Sequence, residues 1–337
     1  MSAKLNIGIV GLGYWGPNFA RIINQMEDVN LAWCCDINNI ALSKFSLIYP
    51  QVKTANNVEP LLKDKDLHGV IIVTPAQEHF KLAKKFLLAG KDLLVEKPLT
   101  DDLKEAKSLV KIAKAKKRIL MVDHTFLFNG AIKKLKQLID DQSLGKIYHI
   151  YGNYNALGPI RKDVSAMWDL PHFIYVVNFL LKTTPLWIQA AGKDYLQKGT
   201  EDVVFLTCEY PDNILFNLNC SWMDPVKVRK LVVVGEKKMV VFDDMEPEEK
   251  IKIYNKSIDI SSDPDFANLQ LVVRHGDTLI PKLELNEPLK EVVEKFIESI
   301  RNRENNVSNG KDGVNLISAL HFAQLSLLKN GKRIWLK

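Results

Sequence analysis

Along the first part of the chain, short apolar runs alternate with amphipathic stretches. The runs at 5–11 (LNIGIVG), 30–36 (NLAWCCD), 68–74 (HGVIIVT), 92–98 (DLLVEKP) and 118–124 (RILMVDH) are rich in Val, Ile and Leu. They carry little polar alternation, as strands covered on both faces do. The intervening pattern is helical: within 103–118, Leu103, Ala106, Leu109, Val110 and Ala113 form one apolar stripe. This strand–helix–strand rhythm predicts a doubly wound parallel sheet, and it ends near residue 124.

The pattern then changes. Residues 130–145 predict a helix stopped by Gly145. Alternating segments follow. In 214–222, Ile214, Phe216, Leu218, Cys220 and Trp222 share one face, and Leu215, Asn217, Asn219 and Ser221 share the other. That predicts an open, mostly antiparallel sheet with one wetter face. Two helices, over 287–302 and 313–329, close the chain. The expected architecture is α/β: an N-terminal Rossmann domain over 1–124, and a C-terminal α+β domain over 125–337 for substrate binding and oligomerisation.

Composition adds little. With 337 residues, 47% of them hydrophobic and 26% charged, the chain suits two globular domains. The net charge of +6 comes from lysines at helical spacing, which read as solvated faces rather than a nucleic-acid patch. It also favours an anionic small molecule. Cys34 and Cys35 are adjacent in a strand, and Cys208 and Cys220 flank the turn signal at 211–213. A hairpin there sets Cys208 opposite a residue near Phe216 or Asn217, so no disulfide is expected and a reducing compartment fits. No stretch approaches ~18 uninterrupted apolar residues. The N-terminus shows no apolar run with a small-residue cleavage site. A soluble cytoplasmic protein is expected, with no membrane and no nucleic acid among its partners.

The chemistry begins at GLGYWG, a GxGxxG formed by Gly11, Gly13 and Gly16 with Tyr14 and Trp15 inside it. It follows a predicted strand and precedes Pro17, a residue suited to a helix's first turn. Asp36 closes the next strand, about 20 residues further on, which is the context a dinucleotide fingerprint requires. The glycines allow a tight turn and close backbone approach to a pyrophosphate, which the helix N-terminus then meets with N–H groups. Asp36 can accept from both ribose hydroxyls and would repel a 2′-phosphate. No Arg or Lys follows it in DINN (36–39), so NAD is expected over NADP. In VTPAQEH, Pro75 forces the chain out of the sheet. Thr74, Pro75 and His79 are therefore expected near the cofactor, although a histidine at such a place also serves as a surface or capping residue. Glu96 and Lys97 lie at the carboxyl end of the fourth run, where ligands bind in such folds. Lys97 there can hold a substrate hydroxyl and stabilise negative charge developing on its oxygen. The plain alternative is a salt bridge at the sheet edge.

Over essentially its whole length the sequence resembles the Gfo/Idh/MocA family of sugar and cyclitol dehydrogenases. The resemblance runs through GIVGLGYWG, VIIVTPAQEH, EKP, GKIYHIYGNYN, WDLPH, GDTLIPKLELNEPL and NGKDGVNLISAL. The segment GPIRKDVSAMWDLPH (158–172) looks like the branch acting on nucleotide-linked sugars, the UDP-N-acetylglucosamine and UDP-uronate 3-dehydrogenases. The resemblance implies that Lys97 and His172 flank the reacting carbinol and that Asp169 binds a substrate hydroxyl; Asn155 and Trp168 are expected to help hold the substrate. Arg161, in the Gly/Pro-containing segment leading to the helix of His172, offers a planar fork to a phosphate or carboxylate, the plain alternative being a surface Arg161–Lys162 pair answering Asp163. The resemblance also implies NAD as the cofactor, no metal, and a homodimer or homotetramer built through sheet faces. The sequence departs from the family in two places. Asp169 precedes His172 by three residues instead of four, and Phe173 stands where an acid is usual. An i,i+3 pair on a helix still shares a face. Pro171 fits only a first turn, so Asp169 could instead be an N-cap. Three functions are carried forward: a nucleotide-sugar or acidic-sugar dehydrogenase, an inositol-type or free-sugar dehydrogenase, and a non-catalytic sensor of the same fold.

Overall fold

The computed structural model describes residues 4–158, 160–161, 164–261, 270–284, 286–304 and 307–336. Their packing forms two compact units: 1–128 with 286–317, and 129–285 with 318–337.

In the first unit, the strands are β1 (Leu5–Val10), β2 (Val29–Cys35), β3 (Lys53–Ala55), β4 (Gly69–Ile72), β5 (Asp92–Glu96) and β6 (Leu120–Asp123). Among the described residues they form a six-stranded parallel sheet in the order β3-β2-β1-β4-β5-β6. The five apolar runs are strands, and every residue of β4 and β6 is buried. Only β3 escaped the pattern, because it is three residues long and half exposed at the sheet edge. The helices α1 (Gly16–Asn24), α2 (Asn39–Ile48), α3 (Glu59–Lys63), α4 (Ala76–Leu88) and α5 (Leu103–Lys116) connect the strands. Helix α1 buries Phe19, Ala20, Ile22 and Ile23, and α5 buries Ala106, Leu109 and Ala113 of the expected stripe. The Asp102 side chain caps α5 by accepting from the Lys104 and Glu105 N–H groups.

The packing does not follow chain order. Residues 286–317 lie in the first unit although they come late in the sequence. A Cβ built on Gly69 of β4 would stand 2.9 Å from Ile300 and 3.1 Å from Phe296, so glycine lets that late segment pack against the strand.

In the second unit come α6 (Gly130–Asp140), β7 (Ile147–Leu157), α7 (Ala166–Asp169), α8 (His172–Leu181), β8 (Trp187–Lys193), β9 (Val203–Tyr210), β10 (Ile214–Ser221), β11 (Met223–Gly235), β12 (Met239–Asp243) and β13 (Ile251–Tyr254). They are followed by the hairpin β14 (Ser257–Ser261) and β15 (Gln270–Arg274), then by β16 (Thr278–Leu279). Helix α9 (Pro288–Asn302) belongs to the first unit. Helix α10 (Gly310–Leu328) enters the second from Ser318, and β17 (Ile334–Trp335) ends the chain's described structure. Among the described residues the large sheet has nine strands, all antiparallel except for the β7–β10 pair.

Cys208 lies opposite Phe216, and all four cysteines are free. On β10, Ile214, Phe216, Leu218 and Cys220 are buried, while Leu215 and Asn217 are exposed. Ser221 departs from the alternation and is buried. Gly145 does not stop α6, which ends at Asp140. The glycine lies in a following turn at φ 70°, its N–H bonded to the Gln142 carbonyl. No helix among the described residues is long and apolar enough to cross a membrane.

Candidate active site

In the first unit the switch point lies between β1 and β4, where strand order reverses. The glycine loop sits at its carboxyl end. Gly11 has φ 105°, and a Cβ there would meet the Val73 carbonyl oxygen at 2.6 Å. A Cβ on Gly16 would meet the Gly11 carbonyl oxygen at 2.2 Å. Gly13 is exposed and nothing lies within 4 Å of its Cβ position. The outer glycines thus make the turn, and the middle one leaves the backbone open to a phosphate. Helix α1 starts with no acidic side chain in its first turn and no side-chain cap, so its own side chains leave the positive end of its dipole for an anion. These residues fit a dinucleotide.

Asp36 is already engaged in shaping that loop. One carboxylate oxygen accepts from Leu12 N at 2.6 Å, and the other accepts from Asn38 N at 2.7 Å. Tyr14 and Trp15 are exposed on the loop, with their rings edge to face at 5.1 Å. Thr74 and Pro75 follow β4, with Pro75 at the N-cap of α4. His79 is neither a surface residue nor a cap. It is 1% exposed, with Nδ1 2.8 Å from the Pro98 carbonyl and Nε2 2.8 Å from the Thr74 carbonyl. Burial lowers its basicity against the pull of those carbonyls. It ties the segment after β4 to the segment after Lys97.

Glu96 and Lys97 are half-buried at the end of β5. Glu96 pairs in register with Asp123 of β6. Two residues that sequence reasoning missed adjoin Lys97. Burial lifts the Asp123 carboxyl to about 6, against a 2.6 Å hydrogen bond from the Thr125 hydroxyl and the attraction of Lys97. Burial, with Lys97's repulsion added, drives His124 down to about 3. Lys97 is therefore set among buried titratable groups. Their only sequence signal was a charged pair ending an apolar run.

In the second unit the cluster is built around His172, the first residue of α8. Its Nδ1 lies 2.9 Å from the Tyr175 hydroxyl. Tyr154 of β7 stacks on its ring at 4.8 Å, and the Arg229 guanidinium lies 5.0 Å from the Tyr154 ring centroid. Arg229 also pairs with Asp244 at 3.1 Å. Burial pushes the Tyr154 phenol well above its ordinary value.

Asp169 is not the N-cap of α8, and it does not share a helix with His172. It ends the four-residue α7, and Leu170 and Pro171 break the helix before α8 begins. Its carboxylate accepts from the Trp222 indole at 3.4 Å and lies 4.0 Å from the Arg161 guanidinium. Asn155 is buried and donates to Asp224 at 3.2 Å. Trp168 is half-buried on α7. Lys162 and Asp163 lie outside the described residues. Tyr154, Tyr175, Trp222 and Arg229 were not singled out from the sequence. Tyr175 had a signal in its i+3 spacing from His172. Tyr154 and Arg229 are neighbours only through the β7–β11 register.

Several known proteins share this architecture. The inositol 2-dehydrogenase of Salmonella paratyphi B is 30% identical over 186 residues, 52% of this chain and 54% of its own. The UDP-N-acetylglucosamine 3-dehydrogenase of Acidithiobacillus ferrooxidans superposes with a TM-score of 0.82 at 20% identity, covering 97% of this chain and 98% of its own. The WlbA dehydrogenase of Bordetella pertussis, solved with NADH and UDP-GlcNAcA, superposes with a TM-score of 0.81 at 17% identity, covering 99% of each chain. At those identities the two structures share the fold. The matches reach from 33% to 54% of the length of curated relatives. Residues 5–124 carry the oxidoreductase family's NAD-binding Rossmann fold and residues 132–241 its C-terminal domain, so this chain belongs to the Gfo/Idh/MocA family.

Proposed function

We propose that the protein is an NAD-dependent dehydrogenase that moves a hydride between a secondary alcohol of a sugar and nicotinamide C4. Residues 1–124 bind the cofactor, and residues 125–337 hold the sugar and assemble the oligomer. The observation that carries this reading is the setting of Lys97. It lies at the carboxyl end of β5, in a sheet whose switch point bears the glycine loop, beside buried Asp123 and His124.

When bound, NAD supplies the hydride acceptor. Gly11, Gly13 and Gly16 admit the pyrophosphate, and Asp36 takes the ribose hydroxyls and disfavours a 2′-phosphate. Lys97 orients the reacting oxygen and stabilises its charge. His172 takes the hydroxyl proton in oxidation and returns it in reduction. Asp169, Asn155 and Trp168 hold the sugar, and Arg161 offers a planar fork to an anionic group on it. Relatives named for inositol and for UDP-N-acetylglucosamine support a polyhydroxylated ring, and the excess of basic residues favours the anionic, nucleotide-linked or acidic kind. The exposed sheet residues Tyr151, Phe205 and Leu215 suit burial against a second copy, as a dimer or tetramer. The free cysteines suit a cytoplasmic location.

The deciding test is NADH formation at 340 nm with UDP-sugars, uronates, free hexoses and inositols. Turnover of an anionic sugar supports the proposal. Preference for a neutral inositol moves the inositol-type reading ahead. Tight NAD binding with no turnover of any sugar supports the sensor, which the helix break between Asp169 and His172 keeps in view.

A further inference from the structure

His172 is the first residue of α8, and Tyr175 follows it by one turn, so both side chains rise on one face of the helix. Tyr175 is 3% exposed, and its hydroxyl lies 2.9 Å from His172 Nδ1. From β7, Tyr154 stacks on the imidazole with 28° between planes. Tyr154 is itself held by the edge of Phe173 at 5.5 Å and by the Arg229 guanidinium. The imidazole is thus pinned on a face and at one nitrogen. Among the described residues, the charged and titratable groups acting on Tyr154 include Arg229 of β11, Asp244, Asp169 of α7 and Cys220 of β10, and Tyr175 of α8 meets His172 itself.

The chemistry of the Nδ1 partner matters. A carboxylate can only accept, so it fixes the proton on Nδ1 and stabilises the imidazolium. A phenol hydroxyl can donate or accept. When the phenol accepts from Nδ1–H, Nε2 presents a lone pair and can take a proton. When the phenol donates to Nδ1, the neutral ring carries its proton on Nε2 and offers it as a hydrogen bond; the proton is given up only from the imidazolium. Exchange between the two states takes a proton off one ring nitrogen and puts one on the other through solvent, and the Tyr175 O–H turns to match.

We propose that Tyr175 is the positioning residue of His172: its hydroxyl holds Nδ1, assigns Nε2 to the substrate, and supports both neutral tautomers. This rests on the proton-transfer role of His172 stated above. In oxidation the substrate O–H proton passes to Nε2, the hydride passes to the nicotinamide, and the imidazolium's Nδ1–H donates to the Tyr175 oxygen. In reduction Nε2–H returns the proton to the carbonyl oxygen as hydride arrives.

The test uses the full chain saturated with NAD, wild type and Tyr175→Phe, which keeps the ring and removes the hydroxyl. Imidazole nitrogen chemical shifts of His172 are read across pH. In the wild type the neutral form should show intermediate shifts on both nitrogens, the mark of two exchanging tautomers. Tyr175→Phe should shift that balance and move the titration to lower pH, because the imidazolium loses an acceptor. With a turned-over sugar, kcat should fall roughly 2- to 13-fold, the span of one net hydrogen bond. The acid limb of its pH profile should move the same way, and KM for NAD should hold. A single fixed tautomer in the wild type overturns the proposal. So do nitrogen shifts and an acid limb unchanged in Tyr175→Phe, even with a lowered Tm. If no sugar is turned over, the dehydrogenase reading fails, while the nitrogen spectra still decide whether Tyr175 holds the ring.

Discussion

The dinucleotide loop and the His172 cluster are built by different means. Around the loop the backbone does the work. Gly11 and Gly16 are required because carbonyl oxygens occupy the places where their Cβ atoms would stand, and the ligand-facing groups are N–H donors at a helix end. Around His172 the side chains do the work. Tyr175 comes from the same helix, Tyr154 from β7 and Arg229 from β11. The two supporting sheets differ in the same sense: β4 and β6 are buried throughout, whereas β10 is buried on one face and exposed on much of the other. A backbone-built site is broken by adding atoms, and a side-chain-built site by removing them.

The largest effects should come from removing atoms. Lys97→Ala and His172→Ala should each lower turnover roughly 10²–10⁴-fold, the size of a lost oxyanion or proton-transfer contribution. NAD affinity, measured by titration calorimetry, should change little. Near-normal kcat in either variant removes that residue from the chemistry.

The next effect lies beside Lys97 and appears in stability. His124 titrates near 3 in the folded chain, below its ordinary 6.5, so the unfolded chain binds its proton first as pH falls. Its contribution to stability is therefore lost between about pH 6.5 and 3. Asp123, held up at about 6 from an ordinary 3.8, acts oppositely: the folded chain binds that proton first, so stability is gained from about pH 6 to 4. The two act in opposite directions in that interval. Asp123→Asn should unmask the histidine, adding an acid loss on the order of several kcal/mol that is readable as Tm against pH. Equal Tm profiles for wild type and variant would contradict this account of the Lys97 surroundings.

Arg161→Ala should raise KM for an anionic sugar by about 10- to 150-fold, the worth of a charge-assisted contact of about 1.5–3 kcal/mol. A neutral analogue should be nearly untouched, and added salt should raise the wild-type KM. Silence with the best substrate would take Arg161 out of the sugar site.

Adding atoms to the loop sharpens the contrast. Gly16→Ala should lower stability by about 1–3 kcal/mol in denaturant unfolding, since its Cβ meets a backbone oxygen. Gly13→Ala meets nothing within 4 Å, so it should leave stability intact and weaken NAD binding. If Gly13→Ala binds NAD as the wild type does, the loop does not cradle a pyrophosphate. The smallest effect belongs to Asp36→Ala, which should narrow the preference for NAD over NADP by about tenfold. Tighter NADP binding in the wild type would refute the preference.

The sequence determined what local chemistry controls. Five apolar runs announced five strands, GLGYWG with Asp36 announced the loop, and the alternation of 214–222 announced a half-open sheet with Cys208 opposite a residue near Phe216 or Asn217, which is Phe216. Those features depend on neighbours in the chain and on residues such as glycine, whose conformational freedom is specific to them. Tertiary structure decided the rest. It put residues 286–317 back in the first unit, ended α6 at Asp140, and drew His79 between two carbonyls. It broke the helix between Asp169 and His172 and gave the histidine a phenol for its partner. Of these, only the helix break at Pro171 and the i+3 spacing of Tyr175 have a trace in the local sequence. Burial of a polar side chain among segments distant in sequence depends on where the whole chain packs, so its partners, and the titration they impose, emerge only when the fold is complete.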